Sequence, residues 1–210
     1  MRLNTIIAVL VVATLGLAAC GSDDNSSSAS VGTTAATSLA TQPPTSSAAI
    51  SQFNDADVAF AQGMIPHHEQ AVQMADIALD STVGSSERVL DLARRIKAAQ
   101  DPEIQLMSGW LQAWGHPMTT DATTGTAMHN MGSTGGMMTD EEMTALRAAK
   151  GADFDKMWTE MMIRHHEGAI AMAETEKTSG SNPDALALAD TIVTAQQGEI
   201  TEMKALLGAE

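Results

Sequence analysis

Apolar side chains recur every three or four residues along two separate stretches of the chain. Phe60, Met64, His67, Ala71, Met74 and Ala78 are spaced 4, 3, 4, 3 and 4 apart and draw one stripe on a helix. Trp158, Met162, His165, Ala169 and Met172 draw the same stripe further on. The two stretches are one unit written twice. Asp57 to Ala75 realigns on Asp155 to Ala173 at a constant offset of 98 (155 − 57), which pairs Met64 with Met162, His67 with His165, His68 with His166, Glu69 with Glu167 and Met74 with Met172. Their partner stretches repeat as well: Leu92, Ile96, Gln100, Glu103, Ile104 and Met107 return at an offset of 96 (188 − 92) as Leu188, Ile192, Gln196, Glu199, Ile200 and Met203. Strand alternation is essentially absent. The pattern predicts an all-α fold, a ferritin-like antiparallel four-helix bundle built from two duplicated helical hairpins, with the two His-His stripes facing each other or a shared core.

Local signals place the helix ends. Asn54 and Asp153 are expected to cap the two motif helices, Asn182-Pro183 to open the last one, and Gly84 and Gly180 to mark the intervening turns. Thr139-x-x-Glu142 reads as a capping box that opens a short helix to about Lys150, with Gly151 ending it. Pro66 falls inside the first motif helix, where it is expected to kink the helix or leave the Gln62 carbonyl unpaired. Arg164 takes its place in the second copy, so the halves are not equivalent.

Ahead of the repeats the pattern changes. Arg2, an apolar run from Ile6 to Leu17, and Leu17-Ala18-Ala19-Cys20 read as a lipoprotein signal peptide over 1–19, too short to span a bilayer comfortably, with lipidation at Cys20. Residues 20–51, rich in Ser, Thr and Ala, read as the lipidated cysteine and a flexible tether. A four-helix domain is expected over 52–208, with a Met/Gly-rich loop at 115–139. The expected address is therefore extracytoplasmic, on the outer face of the cell membrane, held through Cys20. Cys20 is the only cysteine, so no disulfide staples the fold and soft-metal chemistry must use thioethers and imidazoles. A net charge of −15 excludes nucleic acid as a partner, and 3% aromatic residues leave little for sugar- or base-stacking platforms.

Chemistry concentrates in the His-His stripes. Methionine alone is adequately explained as core filler, most of all at Met107 and Met203. Four histidines on buried stripes are different, because each must find partners or be desolvated at a cost. His67, His68, His165 and His166 are the candidate metal ligands, with Met64, Met74, Met162 and Met172 as companions at i+3, i+4 and i+7 spacing. Thioether plus imidazole favours Cu(I), with Ag(I) as its mimic and Cu(II) open at the histidines; zinc rarely takes thioethers. Glu69 and Glu167 either orient an imidazole or are solvated charges. Glu103 and Glu199, recurring among apolar positions beside Met107 and Met203, are with these two methionines possible accessory metal ligands of the same polar centre, the alternative for the glutamates being helix-edge salt bridges. His116, Met118, Met128, His129, Met131, Met137 and Met138 in the loop form a candidate accessory capture site, the alternative being an insert without duty.

No activated nucleophile, phosphate loop or dinucleotide fingerprint is present, so no enzyme is expected. Expected partners are metal ions and, through Cys20, the membrane; a homodimer is left open. A carboxylate-bridged di-iron protein is a poorer reading, because His-His-Glu lacks the Glu-x-x-His spacing that turns both ligands inward. A structural or interaction lipoprotein with a histidine-bearing core is the other alternative.

The pattern Phe60-x-x-x-Met64-Ile65-x-His67-His68-x-x-Ala71-x-x-Met74-Ala75, repeated as Trp158 to Ala173 and preceded by Gly151-x-x-Phe154-Asp155, resembles the ferritin-like domain-of-unknown-function 305 family over about residues 52–207. Members of that family look like exported four-helix proteins, and some are periplasmic copper binders implicated in copper resistance. The resemblance implies copper binding and sequestration by Met64, His67, His68, Met74, Met162, His165, His166 and Met172.

Overall fold

The computed structural model of the protein describes residues 52–118 and 135–208, which lie in one unit. Among the described residues the elements are five helices in chain order, α1 (Asp55–Leu79), α2 (Glu87–Ala113), α3 (Asp140–Ala148), α4 (Gly151–Ser179) and α5 (Pro183–Leu207), and no strand. The segments expected as signal peptide and tether, Cys20 included, lie outside the described residues.

Most helix ends follow the local signals. The Asn54 side chain accepts from the backbone N–H groups of Ala56 and Asp57, and Asp57 answers on the Asn54 N–H, a capping box. Thr139 and Glu142 do the same for α3, and Asn182 accepts from Asp184 and Ala185 at the start of α5, with Pro183 in the first turn. Two expectations are corrected. Asp153 does not cap α4; it lies in its first turn, where its charge complements the helix dipole, and Lys150 stands at the cap position without a side-chain bond. Gly151 does not end α3, which stops at Ala148, but opens α4. At φ +56° it turns the chain sharply between the two helices, and its N–H donates to the Val83 carbonyl at 2.9 Å. α1 runs unbroken through Pro66, and α2 likewise holds an internal proline, Pro102.

α1 packs on α2 and α4 on α5, giving two antiparallel hairpins that meet mainly along α1 and α4; α3 rests on α4. The buried interior falls into two apolar clusters. One takes Phe60, Met64, Met107, Leu111, Ala173 and Ile192; the other takes Met74, Leu92, Ile96, Phe154, Trp158, Met162 and Met203, with Met138, Met143 and Leu146 packed in. Repeated positions therefore land in opposite clusters, Met64 and Met107 in one, Met162 and Met203 in the other. Between the clusters, on both motif helices, stand the two His-His pairs.

Asp57 fastens one end of this frame. Buried completely, it accepts from the Ser181 and Asn182 N–H groups, tying the start of α1 to the α4–α5 turn. Burial pushes its carboxyl up, but the N–H donors of Asn182, Asn54 and Ser181 and the Glu176 carboxyl outweigh that and hold it below the usual range. Asp155, at the repeated position, accepts from the Ser86 N–H in the α2 cap region. Glu176, on α4, has no acidic counterpart in the first copy, where Ala78 stands (176 − 98). It is almost fully buried, and burial together with the adjacent Asp57 pushes its carboxyl up to about 8.

Candidate metal centre

Consecutive helical residues point about 100° apart, so the two histidines of each pair face different neighbours. The first of each pair crosses to the other hairpin: the His67 and His165 rings meet with centroids 3.7 Å apart and planes tilted by 42°. The second turns to its own partner helix. His68 Nε2 lies 2.7 Å from Glu103 Oε2 on α2, and His166 Nε2 lies 2.8 Å from Glu199 Oε2 on α5. All four rings are buried.

Hydrogen-bond chemistry places a proton on one nitrogen of three of these rings. A carboxylate or carbonyl oxygen only accepts, so Nε2 of His68 and His166 carries the proton, as does Nε2 of His67, which donates to the Gly135 carbonyl at 2.8 Å. In the neutral ring Nδ1 is then a bare lone pair. Among the described residues none of the three Nδ1 atoms has a hydrogen-bond partner, neither ring nitrogen of His165 has one, and the side-chain oxygens of Gln100 and Gln196 are also unpaired and buried. Orphaned buried polar atoms cost roughly 1–3 kcal/mol each and are rare in folded proteins. An imidazole whose one nitrogen donates to a carboxylate or carbonyl while the other presents a free lone pair has the arrangement of a metal ligand.

His67 and His165 are also held neutral. Burial, assisted by the neighbouring His68 and His166, lowers His67 to about 4 despite the Gly135 bond. Burial again comes first for His165, followed by crowding from His67, His166 and His68, and holds it well below the ordinary histidine value. Neutral imidazoles are the form that binds metal.

The other predicted residues divide. The carboxylates of Glu103 and Glu199 join the histidine layer; Glu69 is exposed and Glu167 pairs at the surface with Lys204, which makes these two solvated charges. The sulfur side chains do not gather at one point: Met64 and Met107, with half-buried Met172 against them, pack on one side of the layer, and Met74, Met162 and Met203 on the other. No three His, Cys, Asp or Glu side chains among the described residues already converge as a metal site. His116 is exposed and stands edge-on to Phe53 at 6.1 Å, and Met118 is half-buried against the first cluster. Met137 is half-buried and Met138 buried; Met128, His129 and Met131 lie outside the described residues. Sequence reasoning missed Gly135, the carbonyl on His67, and the residues that hold it there. Their only trace in the sequence is that the two copies differ at the receiving positions, Pro66 against Arg164 and Gln70 against Gly168.

The model of the family described as "Domain of unknown function (DUF305)" matches residues 57–207. The chain belongs to the DUF305 family. Among solved structures, a DUF305 fragment from Deinococcus radiodurans is similar at 29% identity and a TM-score of 0.63, covering 75% of this chain and 98% of that one. A DUF305 protein from Streptomyces coelicolor, named as a secreted protein, is 32% identical with a TM-score of 0.64, over 73% of this chain and 93% of that one. CopM in its Cu(I)-bound form is 29% identical with a TM-score of 0.56, over 73% of this chain and 96% of that one. CopM has also been solved with silver, with Cu(II) and in the apo form. No curated protein matches the chain.

Proposed function

We propose that this DUF305 protein is an extracytoplasmic, membrane-tethered lipoprotein, anchored at Cys20, that binds and sequesters copper without turning it over. The observation that carries this reading is the layer of four buried imidazoles, three of them with Nε2 committed to an oxygen acceptor and Nδ1 without a hydrogen-bond partner among the described residues. Copper is the cargo. Cu(I) suits a donor set of neutral imidazoles with thioethers close at hand and no thiolate, and Ag(I) shares its preferences. His67, His68, His165 and His166 are the ligands on this reading, with Glu103 and Glu199 orienting His68 and His166. Met64 and Met162, one turn before His68 and His166, are the nearest sulfur ligands in sequence. The excess of acidic residues raises local cation concentration at the surface.

CopM, similar over nearly its full length and solved with Cu(I), Cu(II) and silver, supports the choice of metal. No helix among the described residues is long and apolar enough to cross a membrane, which leaves tethering to the N-terminal segment on this reading. The internal repeat is read as a duplication that supplied one His-His pair per hairpin to a shared centre.

The test is an anaerobic Cu(I) competition titration of the protein beside a variant with all four histidines changed to Ala. Binding lost in the variant supports the centre. Binding retained moves the function to the Met-rich loop, and no binding in either leaves a structural lipoprotein.

A further inference from the structure

The histidine layer is covered on one side by a short piece of backbone, Gly135–Met138, lying across the motif helices. Four contacts hold it. Gly135 accepts from His67 Nε2, and the Gln70 amide grips Met138 twice, accepting from its N–H at 2.7 Å and donating to its carbonyl at 2.8 Å. Arg164 donates to the Met138 sulfur at 2.7 Å and pairs with Glu142. The fourth contact is glycine on glycine: a Cβ on Gly168 would fall 1.9 Å from the Gly135 oxygen, and one on Gly136, which sits at φ +79°, would fall 2.4 Å from the Arg164 carbonyl. Met138 is buried in the second apolar cluster, whereas Gly135, Gly136 and Met137 are only half-buried. The segment is thus anchored at Met138 and lightly held ahead of it.

We infer that Gly135–Met137 is a lid over the imidazole layer, hinged on Met138, and that a soft metal ion reaches His67 and His165 when it lifts. Closed, the lid shields His67 and fixes its tautomer through the Gly135 carbonyl. Its seat is built from the positions at which the repeats differ: Gly168 stands where the first copy has Gln70 (168 − 98), and Arg164 where it has Pro66 (164 − 98). One repeat supplies the amide clamp and the other the glycine gap, so these Gln70 and Gly168 contacts cannot be reproduced by repeat symmetry on the opposite face. The ion's part in this inference rests on the copper reading above; the lid itself does not.

Two variants of the full protein separate the two. Gly168→Ala places a methyl where the lid must lie while favouring the α4 helix, and Gln70→Ala removes the clamp; unchanged far-UV helicity confirms folding, and if Gly168→Ala fails to fold, Gln70→Ala carries the same readouts. Diethyl pyrocarbonate is applied to the metal-free proteins, with modification read by peptide mapping and exposed His116 as the internal reference. His67 should be modified several-fold faster than in the parent, with His116 unchanged, and Ag(I) uptake in stopped flow should accelerate in parallel. An unchanged His67 rate in a folded variant overturns the lid. Faster His67 modification with unchanged Ag(I) uptake overturns entry through it. Faster modification in variants that, like the parent, bind no Ag(I) leaves the lid standing and removes the copper reading instead.

Discussion

His165 is the residue at which binding and stability pull apart most clearly, and His165→Leu tests that conflict. A neutral imidazole has one donor and one acceptor, and among the described residues neither ring nitrogen of His165 has a partner. At roughly 1–3 kcal/mol for each orphaned group, the metal-free fold carries about 2–6 kcal/mol of unfavourable desolvation at this side chain. Leucine is of similar size and has no polar atom to bury; imperfect packing against the His67 ring takes back about 1 kcal/mol. The metal-free variant is therefore expected to be more stable than the parent by roughly 1–5 kcal/mol at pH 7.5. In a domain of this size each 1 kcal/mol moves the melting temperature by about 2–4 °C.

The difference should widen in acid. Because His165 is held well below its ordinary value, the unfolded chain takes up a proton near pH 6.5 that the folded one refuses, so parent stability falls as pH drops through that region. His67, lowered from 6.5 to about 4, sets the scale: such a group removes roughly 3 kcal/mol between those two pH values, and the loss is complete below about 4. Urea unfolding of metal-free parent and variant at pH 7.5 and 5.5 measures both effects. A variant less stable than the parent at pH 7.5 would mean instead that the His165 nitrogens are satisfied in the folded state.

Glu103→Ala and Glu199→Ala each release an imidazole from its carboxylate and should weaken Cu(I) binding by about 10–100-fold in a competition titration, with helicity unchanged. Glu176 behaves oppositely to the histidines. Its carboxyl is raised from 4.5 to about 8, so the folded protein keeps a proton that the unfolded chain releases, and stability is lost as pH rises through that window. Glu176→Gln should melt higher than the parent at pH 8.5 and close to it at pH 4.5; equal melting at both would place the carboxyl in water. Copper affinity of the parent should fall between pH 7 and pH 5 as protons compete for the imidazoles, and a flat profile would count against histidine ligation.

The helical frame was readable because its causes are local or periodic. The 4, 3, 4, 3, 4 stripe from Phe60 to Ala78, the capping box at Thr139 and Glu142, and the Asn182-Pro183 start each act within a few residues. The histidine layer was readable because it is written twice, and the same repetition singled out Glu103 and Glu199 without saying which ring they meet. Met64 and Met74 show where a stripe stops being informative. Ten residues of helix rise about 15 Å, so two side chains on one face still end on opposite sides of the histidines. Gly151 misled because a glycine at positive φ serves as well before a helix as after one. The Gly135 carbonyl on His67 and the Asp57–Glu176 neighbourhood join parts of the chain more than 60 residues apart, and no local pattern encodes such meetings.

The central claim is that the imidazole Nδ1 atoms receive the metal while Nε2 stays bonded to oxygen. The most direct test is a long-range ¹H–¹⁵N spectrum of the histidine side chains during anaerobic Ag(I) titration. Nδ1 of His67, His68 and His166 is expected to shift on Ag(I) addition while Nε2 of His68 and His166 remains protonated. Silver bound to the protein with all three Nδ1 resonances unmoved would contradict it.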